Sequence, residues 1–391
     1  MTGNTRQESD LELFTDEALL DPFSRYRELR NQGPAVWLRA YGMYILPRYK
    51  DVRDALRNWQ VFSSAQGVTM NQPMNEAIAG NTLCSDGAHH DVLRGVIQKP
   101  LVPRAVRQLT EQIEAEAEGL VERLVDRKHF DAATDLAQHL PVTIVSSLVG
   151  LPEDGRERML DWAAANFNCF GPMNPRTEGA FETVKEMVHY AYTQAVPGKL
   201  RPGGWAAMIY DAADRGEIKH EQCPAMMNDY MGPSLDTTIF AISSAIWLFA
   251  QHPEQWALIR NDPTLISNAI NEVLRLEAPI QNFSRLVSAD YDVDGVTLPK
   301  GSRVIVSYGS ANRDERKWNE PDTFDIRRKA SDHLAFGNGP HTCVGMHLAR
   351  LEMHALLSSL AKRVSHFELQ ASRRAVNNVL RGFESVEVSV H

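Results

Sequence analysis

Residues 336–345 read FGNGPHTCVG, from Phe336 to Gly345. Gly337, Gly339, Pro340 and Gly345 surround a single thiol, that of Cys343. Glycines at that density let a backbone approach a neighbouring group closely. The run that follows, MHLARLEMHALLSSLAKRV, has helical periodicity, so the thiol stands just before a helix N-terminus. Backbone amides and the positive helix end favour thiolate over thiol there.

Four readings of this cysteine stay open on the loop alone. It can be a small buried hydrophobe in a turn, the commonest fate of a cysteine. It can join His341 and His347 in a metal site, although zinc asks for a fourth ligand and no CxxC or HxxxH partner stands at a suitable spacing. It can be a nucleophile whose general base comes from elsewhere in the fold. It can be the thiolate ligand of a haem iron.

The rest of the chain sets bounds. Of its 391 residues, 43% are hydrophobic and 23% charged, an ordinary globular composition. A formal net charge of −9 argues against a broad nucleic-acid-binding face. The opening MTGNTRQESD lacks the charged-then-apolar layout of a secretory signal. The longest apolar run, Ile239 to Ala250, falls short of the roughly 20 residues that span a bilayer. A cytoplasmic protein is expected, with no membrane or nucleic-acid partner and with Cys84, Cys169, Cys223 and Cys343 kept as thiols.

Helical periodicity dominates, over Ala105–Val125, Thr134–Leu148, Met226–Gln251 and Leu265–Leu276. Strand signals are short, near residues 35–47 and 291–307. No βαβ alternation appears, and no Gly-rich fingerprint follows a strand, so a dinucleotide fold is not indicated. The expectation is a mainly α chain: one large helical domain over residues 1–391 with small β-sheets, and a poorly ordered N-terminus over 1–20.

Company decides among the readings of Cys343. Glu272-Val-Leu-Arg275 puts an acid and a base on one helix face, a spacing that usually marks a surface ion pair. Pro321-Asp-Thr-Phe324 lies between that pair and the loop, and SDGAHHDVLR (85–94) lies upstream. In this order the motifs resemble those of the cytochrome P450 family. The loop matches Phe-x-x-Gly-x-His/Arg-x-Cys-x-Gly at Phe336, Gly339, His341, Cys343 and Gly345. Glu272 and Arg275 match the family's Glu-x-x-Arg, and 321–324 the third arm of its buried ion-pair cluster. Residues 85–94 resemble Asp-Pro-Pro-x-His-Thr-x-x-Arg, with Gly87 and Ala88 in place of the prolines and Asp91 in place of the threonine.

The resemblance covers nearly the whole chain and implies the P450 fold with haem b as cofactor. Cys343 would ligate the iron within a loop framed by Phe336 and Gly345. His90, Arg94, Arg285 and His341 would bind the two propionates, which need basic partners.

The stretch MGPSLDTT (231–238) takes the place of the family's Ala/Gly-Gly-x-Asp/Glu-Thr, aligned on Pro233, Ser234, Leu235, Asp236 and Thr237. By that resemblance Thr237 hydrogen-bonds the distal oxygen and Asp236 relays protons from solvent. Without it, Thr237 bonds its own helix and Asp236 sits in an ion pair. Pro233 departs from the family: it leaves the Asp229 carbonyl without its N–H, one turn before a glycine-centred distortion would lie.

The chain is most similar to bacterial members that oxidise small aromatic acids such as methoxybenzoates. Phe167, Phe170 and Phe283 would wall a flat aromatic pocket. The carboxylate-binding residues of those relatives are replaced by Gln66, Asn228, Asp229 and Gly232, and a buried benzoate would face an acid instead of a cation. The resemblance therefore implies hydroxylation or O-demethylation of a neutral methoxyphenol or alkylphenol with O2. Electrons would come from a ferredoxin and its reductase, since no flavin or nicotinamide motif is present. The rivals are a hydroxylase of a larger hydrophobic natural product, a peroxide-driven peroxygenase and a non-catalytic haem sensor. Asp236 and Thr237 count against the last two.

Overall fold

The computed structural model describes residues 7–153 and 155–391. Helices dominate, and the strands gather at the edges. In chain order the strands are β1 (Glu8–Ser9), β2 (Val36–Leu38), β3 (Met43–Leu46), β4 (Phe62–Ser63), β5 (His129–Asp131), β6 (Asn282–Val287), β7 (Tyr291–Val293), β8 (Val296–Leu298), β9 (Arg303–Ser307), β10 (Phe367–Arg374) and β11 (Phe383–Val390). The largest sheet runs β1-β2-β3-β9-β6-β4, with β3 parallel and β6 antiparallel to β9. A second sheet runs β10-β11-β5, and β7 and β8 form a hairpin.

Within β6 the side chains alternate. Phe283 and Arg285 turn to the central cavity, and Ser284 between them is fully buried, its hydroxyl donating to Thr69 O at 2.6 Å.

Residues 7–20, expected to be poorly ordered, are built into the fold. β1 pairs in parallel with β2, Leu13 and Phe14 are buried, and Thr15 caps the helix Asp16–Leu20 by accepting from Ala18 N. Residues 1–6 lie outside the described residues.

The helix expected over Met226–Gln251 is two helices, Cys223–Met231 and Asp236–Gln251. Pro233 has no N–H to offer the Asp229 carbonyl. The hydroxyl of Ser234, not its amide, takes up the Tyr230 carbonyl. Regular bonding resumes with Ile239 N to Leu235 O at 3.1 Å. With its preceding turn, His220–Gln251 is long and apolar enough to cross a membrane, but 67% of its most apolar window is buried in protein, as in a core helix.

Two other helices also divide. Ala105–Val125 becomes Pro103–Arg107 and Thr110–Arg127, joined by tight i→i+3 bonds at Gln108 and Leu109. Thr134–Leu148 becomes π-helical turns at Ala132–Ala137 and Pro141–Val145 and a short α-helix, Ser146–Val149, because Pro141 lacks a donor. The expected 265–276 helix is Ile266–Leu276.

Candidate active site

The loop 336–345 is a set of tight turns closed by Cys343 N to Phe336 O at 2.8 Å and Thr342 N to Gly339 O at 3.1 Å. Gly337 and Gly339 both have positive φ, at 72° and 78°. A Cβ at Gly339 would lie 2.6 Å from Leu56 O, so this glycine seats the loop against the helix Tyr49–Arg57. The helix Met346–Arg363 follows the loop directly.

Cys343 lines the cavity and is open to it, whereas Cys84, Cys169 and Cys223 are buried free thiols. Burial pushes the Cys343 thiol up, opposed by the amides of Gly345 and Met346 and by the Arg94 guanidinium. Burial alone pushes Cys169 up to about 12.

His90, Arg94, Arg285 and His341 converge on this cavity. Arg94 donates to Thr342 O at 2.6 Å and Arg285 to Ser284 O at 2.7 Å, and among the described residues neither forms an ion pair. The His90 and His341 rings lie 4.3 Å apart, and burial lowers both pKa values. His90 Nε2 is buried and has no hydrogen-bond partner. His341 Nε2 donates to Asp86 at 3.2 Å, so a further anion would meet its Nδ1, which donates only in the imidazolium form. Unpaired guanidiniums and an orphaned imidazole nitrogen, set beside a thiol, suit a group that carries carboxylates and accepts a thiolate.

Asp86 stands in this cluster without having been singled out from the sequence. It accepts from Ser63 Oγ at 2.7 Å and from the Ser64 and Ala65 amides at 2.9 and 3.0 Å. Its burial would raise its pKa, but these donors and His341 hold it below the ordinary range. Its place at the head of 85–94 was the available signal.

Across the cavity, Thr237 lines the wall and its Oγ1 donates weakly to Pro233 O, at 3.4 Å. Asp236 is the first residue of its helix and is buried behind that wall, and among the described residues it forms no ion pair. Burial pushes its carboxyl up to about 7. Pro233 and Ser234 also face the cavity.

The remaining wall is aromatic. Phe167, Phe170 and Phe283 form a chain with ring centroids 5.7 and 5.6 Å apart. Tyr308, not expected from the sequence, extends it at 5.9 Å edge-on to Phe283. Asn71 Nδ2 donates to Cys169 O and Gly171 O at 2.7 and 2.8 Å, which holds the Phe170 turn in place.

Asn228 and Asp229 line the same cavity. Asp229 accepts from Thr82 N at 3.0 Å, and burial pushes it up to about 6. Two expectations are corrected. Gln66 is exposed, outside the cavity, with its carbonyl accepting from Arg303. Gly232 is buried but does not line the cavity, because it packs beneath Asn166.

The Glu272–Arg275 pair is fully buried, not a surface pair, with contacts of 2.7 and 2.8 Å. Residues 321–324 contribute carbonyls to Arg275, from Pro321 and Thr323. The charged third arm is Arg328, at 3.0 Å from Glu272 Oε1, four residues past the expected segment. The basic pair Arg327-Arg328 was the sequence signal for it. Glu352 was also missed: it is buried beside the cavity, with Oε1 unpartnered, and burial pushes it up to about 8.

Three comparisons bear on this arrangement. Residues 259–386 match the cytochrome P450 family pattern. The chain is 35% identical to cytochrome P450 CYP199A2 of Rhodopseudomonas palustris, covering 96% of this chain and 93% of that protein. It is 28% identical to linalool 8-monooxygenase of Pseudomonas putida, over 96% and 97% of the two chains. Its fold superposes with a TM-score of 0.83 on the cytochrome P450 CREJ in complex with (4-ethylphenyl) dihydrogen phosphate, at 26% identity over 95% of this chain and 98% of that one.

Proposed function

The chain belongs to the cytochrome P450 family, and from that premise we propose that it hydroxylates or O-demethylates a small neutral aromatic of the methoxyphenol or alkylphenol type. Members of the family are haem-binding monooxygenases that use O2 and a redox partner. For this chain a ferredoxin with its reductase is the proposed electron source, and the cytoplasm its proposed location.

When bound, a haem whose iron carries a thiolate supplies activation of O2 for insertion of one oxygen atom into a C–H bond. The residues here fit that group. Cys343 would supply the thiolate, and Phe336 and Gly345 would frame it. Arg94, Arg285 and the orphaned Nε2 of His90 would meet the propionates, with His341 steadied by Asp86.

On the distal side Thr237 lines the cavity and holds a proton at Oγ1, bonded only weakly to Pro233 O. Asp236, with its carboxyl near pH 7, exchanges that proton with solvent. The aromatic chain orients a flat ring and excludes water from it.

One observation carries the substrate reading: the Phe167–Phe170–Phe283 wall shares its cavity with a buried acid, Asp229, and, among the described residues, with no free cation beyond those facing the propionates. A carboxylate substrate would meet that acid without compensation. Optical titration of the holoenzyme tests this reading. Neutral phenols are expected to give the substrate-type shift of the Soret band, and 4-methoxybenzoate none. The reverse result would overturn it.

A further inference from the structure

We propose that Asn166 and Asn228 form a two-point site for one phenolic hydroxyl of the substrate. The proposal rests on the aromatic reading above and narrows it to ligands with a free hydroxyl on the ring. Both asparagines line the cavity, and their residues are only 6% and 7% exposed. Asn228 Oδ1 is buried with no hydrogen-bond partner. Among the described residues the side chain of Asn166 has none either, and it precedes Phe167 on the helix Met159–Cys169.

A buried amide left unpaired costs stability unless a ligand or water satisfies it. Gly232 makes room for this arrangement. A Cβ there would lie 2.7 Å from Asn166 Nδ2 and 3.3 Å from the main-chain carbonyl of Asn228, so glycine leaves room for the Asn166 side chain one helical turn beyond Asn228, on the same helix face. Gly232 has ordinary right-handed dihedrals, φ −72° and ψ −58°, so space and not backbone strain selects it.

Two carboxamides together offer a donor and an acceptor, whichever way each amide is turned. A phenolic hydroxyl is both, so it donates to one and accepts from the other. An aryl methyl ether only accepts and leaves one amide oxygen orphaned. A carboxylate also only accepts, and Asp229 adjoins this corner. The same geometry that binds phenol therefore rejects the ether and the acid.

The test is a set of binding titrations on the holoenzyme, by optical shift and by calorimetry, with 4-methoxyphenol and 1,4-dimethoxybenzene. The wild type is expected to favour the phenol about tenfold or more. Asn228→Leu and Asn166→Leu should each bring that preference below about twofold, with ether binding unchanged or tighter. Gly232→Ala keeps both amides but displaces Asn166, and should reduce the preference too. It serves as the second variant should a leucine variant fail to fold. Equal wild-type affinity for phenol and ether, or a preference that survives all three substitutions, overturns the two-point site and leaves the aromatic reading standing. Failure of both ligands to bind the wild type overturns both.

Discussion

Asp236 carries a carboxyl pushed up to about 7 while standing at a helix N-terminus that would otherwise stabilise its anion. Burial wins, and the result is a group that gains and loses a proton near neutral pH. Replacing it by asparagine keeps shape and burial but removes that exchange. Product formation by Asp236→Asn should fall about 10–100-fold, with optical substrate titrations unchanged. Unaltered turnover would remove Asp236 from the proton route. At this scale the sequence was readable where the backbone itself constrains the residue. Cys343 stood out because glycines at 337 and 339 are required by positive φ and by contact with Leu56. Gln66 misled because a loop residue's facing follows from distant packing, here the pull of Arg303 on the local carbonyls, which no spacing records.

At the scale of elements, the helix Ile266–Leu276 is tied to the segment before the cysteine loop by Glu272, Arg275 and Arg328. Arg275 also donates to Asn312 O and Pro321 O at 2.8 and 2.7 Å. Removing Arg275 leaves a wholly buried carboxylate and the carbonyls of Asn312, Pro321 and Thr323 short of a donor. Arg275→Ala should cost about 3–5 kcal/mol and prevent stable haem incorporation. Arg328→Ala, at a partly exposed arm, should cost about 1–3 kcal/mol, read as a lower denaturant midpoint with an intact carbon monoxide difference spectrum. Equal costs for the two would contradict the cluster's ordering. The break between Met231 and Asp236 was only half legible. The proline announced a missing bond at Asp229, but the hydroxyl of Ser234 bonding Tyr230 O needed the folded chain.

At the scale of the whole molecule, buried acids set the response to pH. Asp236 and Glu352 are held up at about 7 and 8, so their protonated forms stabilise the fold. That contribution is intact below the ordinary carboxylate range, is lost progressively as pH rises from there, and is gone once pH has passed 7 and 8. The buried histidines His90, His333 and His341 have lowered values and are neutral, folded or unfolded, above about pH 7.5. They therefore add no slope in that window. The holoenzyme's unfolding midpoint should fall between pH 7 and 8 and level off by pH 9, and Asp236→Asn with Glu352→Gln should flatten the decline. A profile unaffected by the double substitution would refute this assignment. Glu277 works at the other end: burial opposes its charge, but Arg381, Arg374 and Arg313 hold its carboxyl down to about 2, so its contribution is present above the ordinary carboxylate range and is lost progressively as pH falls from there to about 2. The sequence conveyed one continuous helical domain by having no linker. It could not convey a sheet that pairs Glu8 with Trp37 and Tyr44 with Val304, because such pairings are set by tertiary packing.

Strand β6 serves as a ruler. Phe283 and Arg285 share one of its faces, two residues apart, a step of about 6.5–7 Å along an extended strand. Substrate wall and proposed propionate anchor are thus graduations on the same rigid scale, hydrogen-bonded to β9 along Asn282–Leu286. Redesigning the pocket at 283 leaves that spacing untouched, whereas a one-residue insertion or deletion in β6 would misplace ring and anchor in a single stroke.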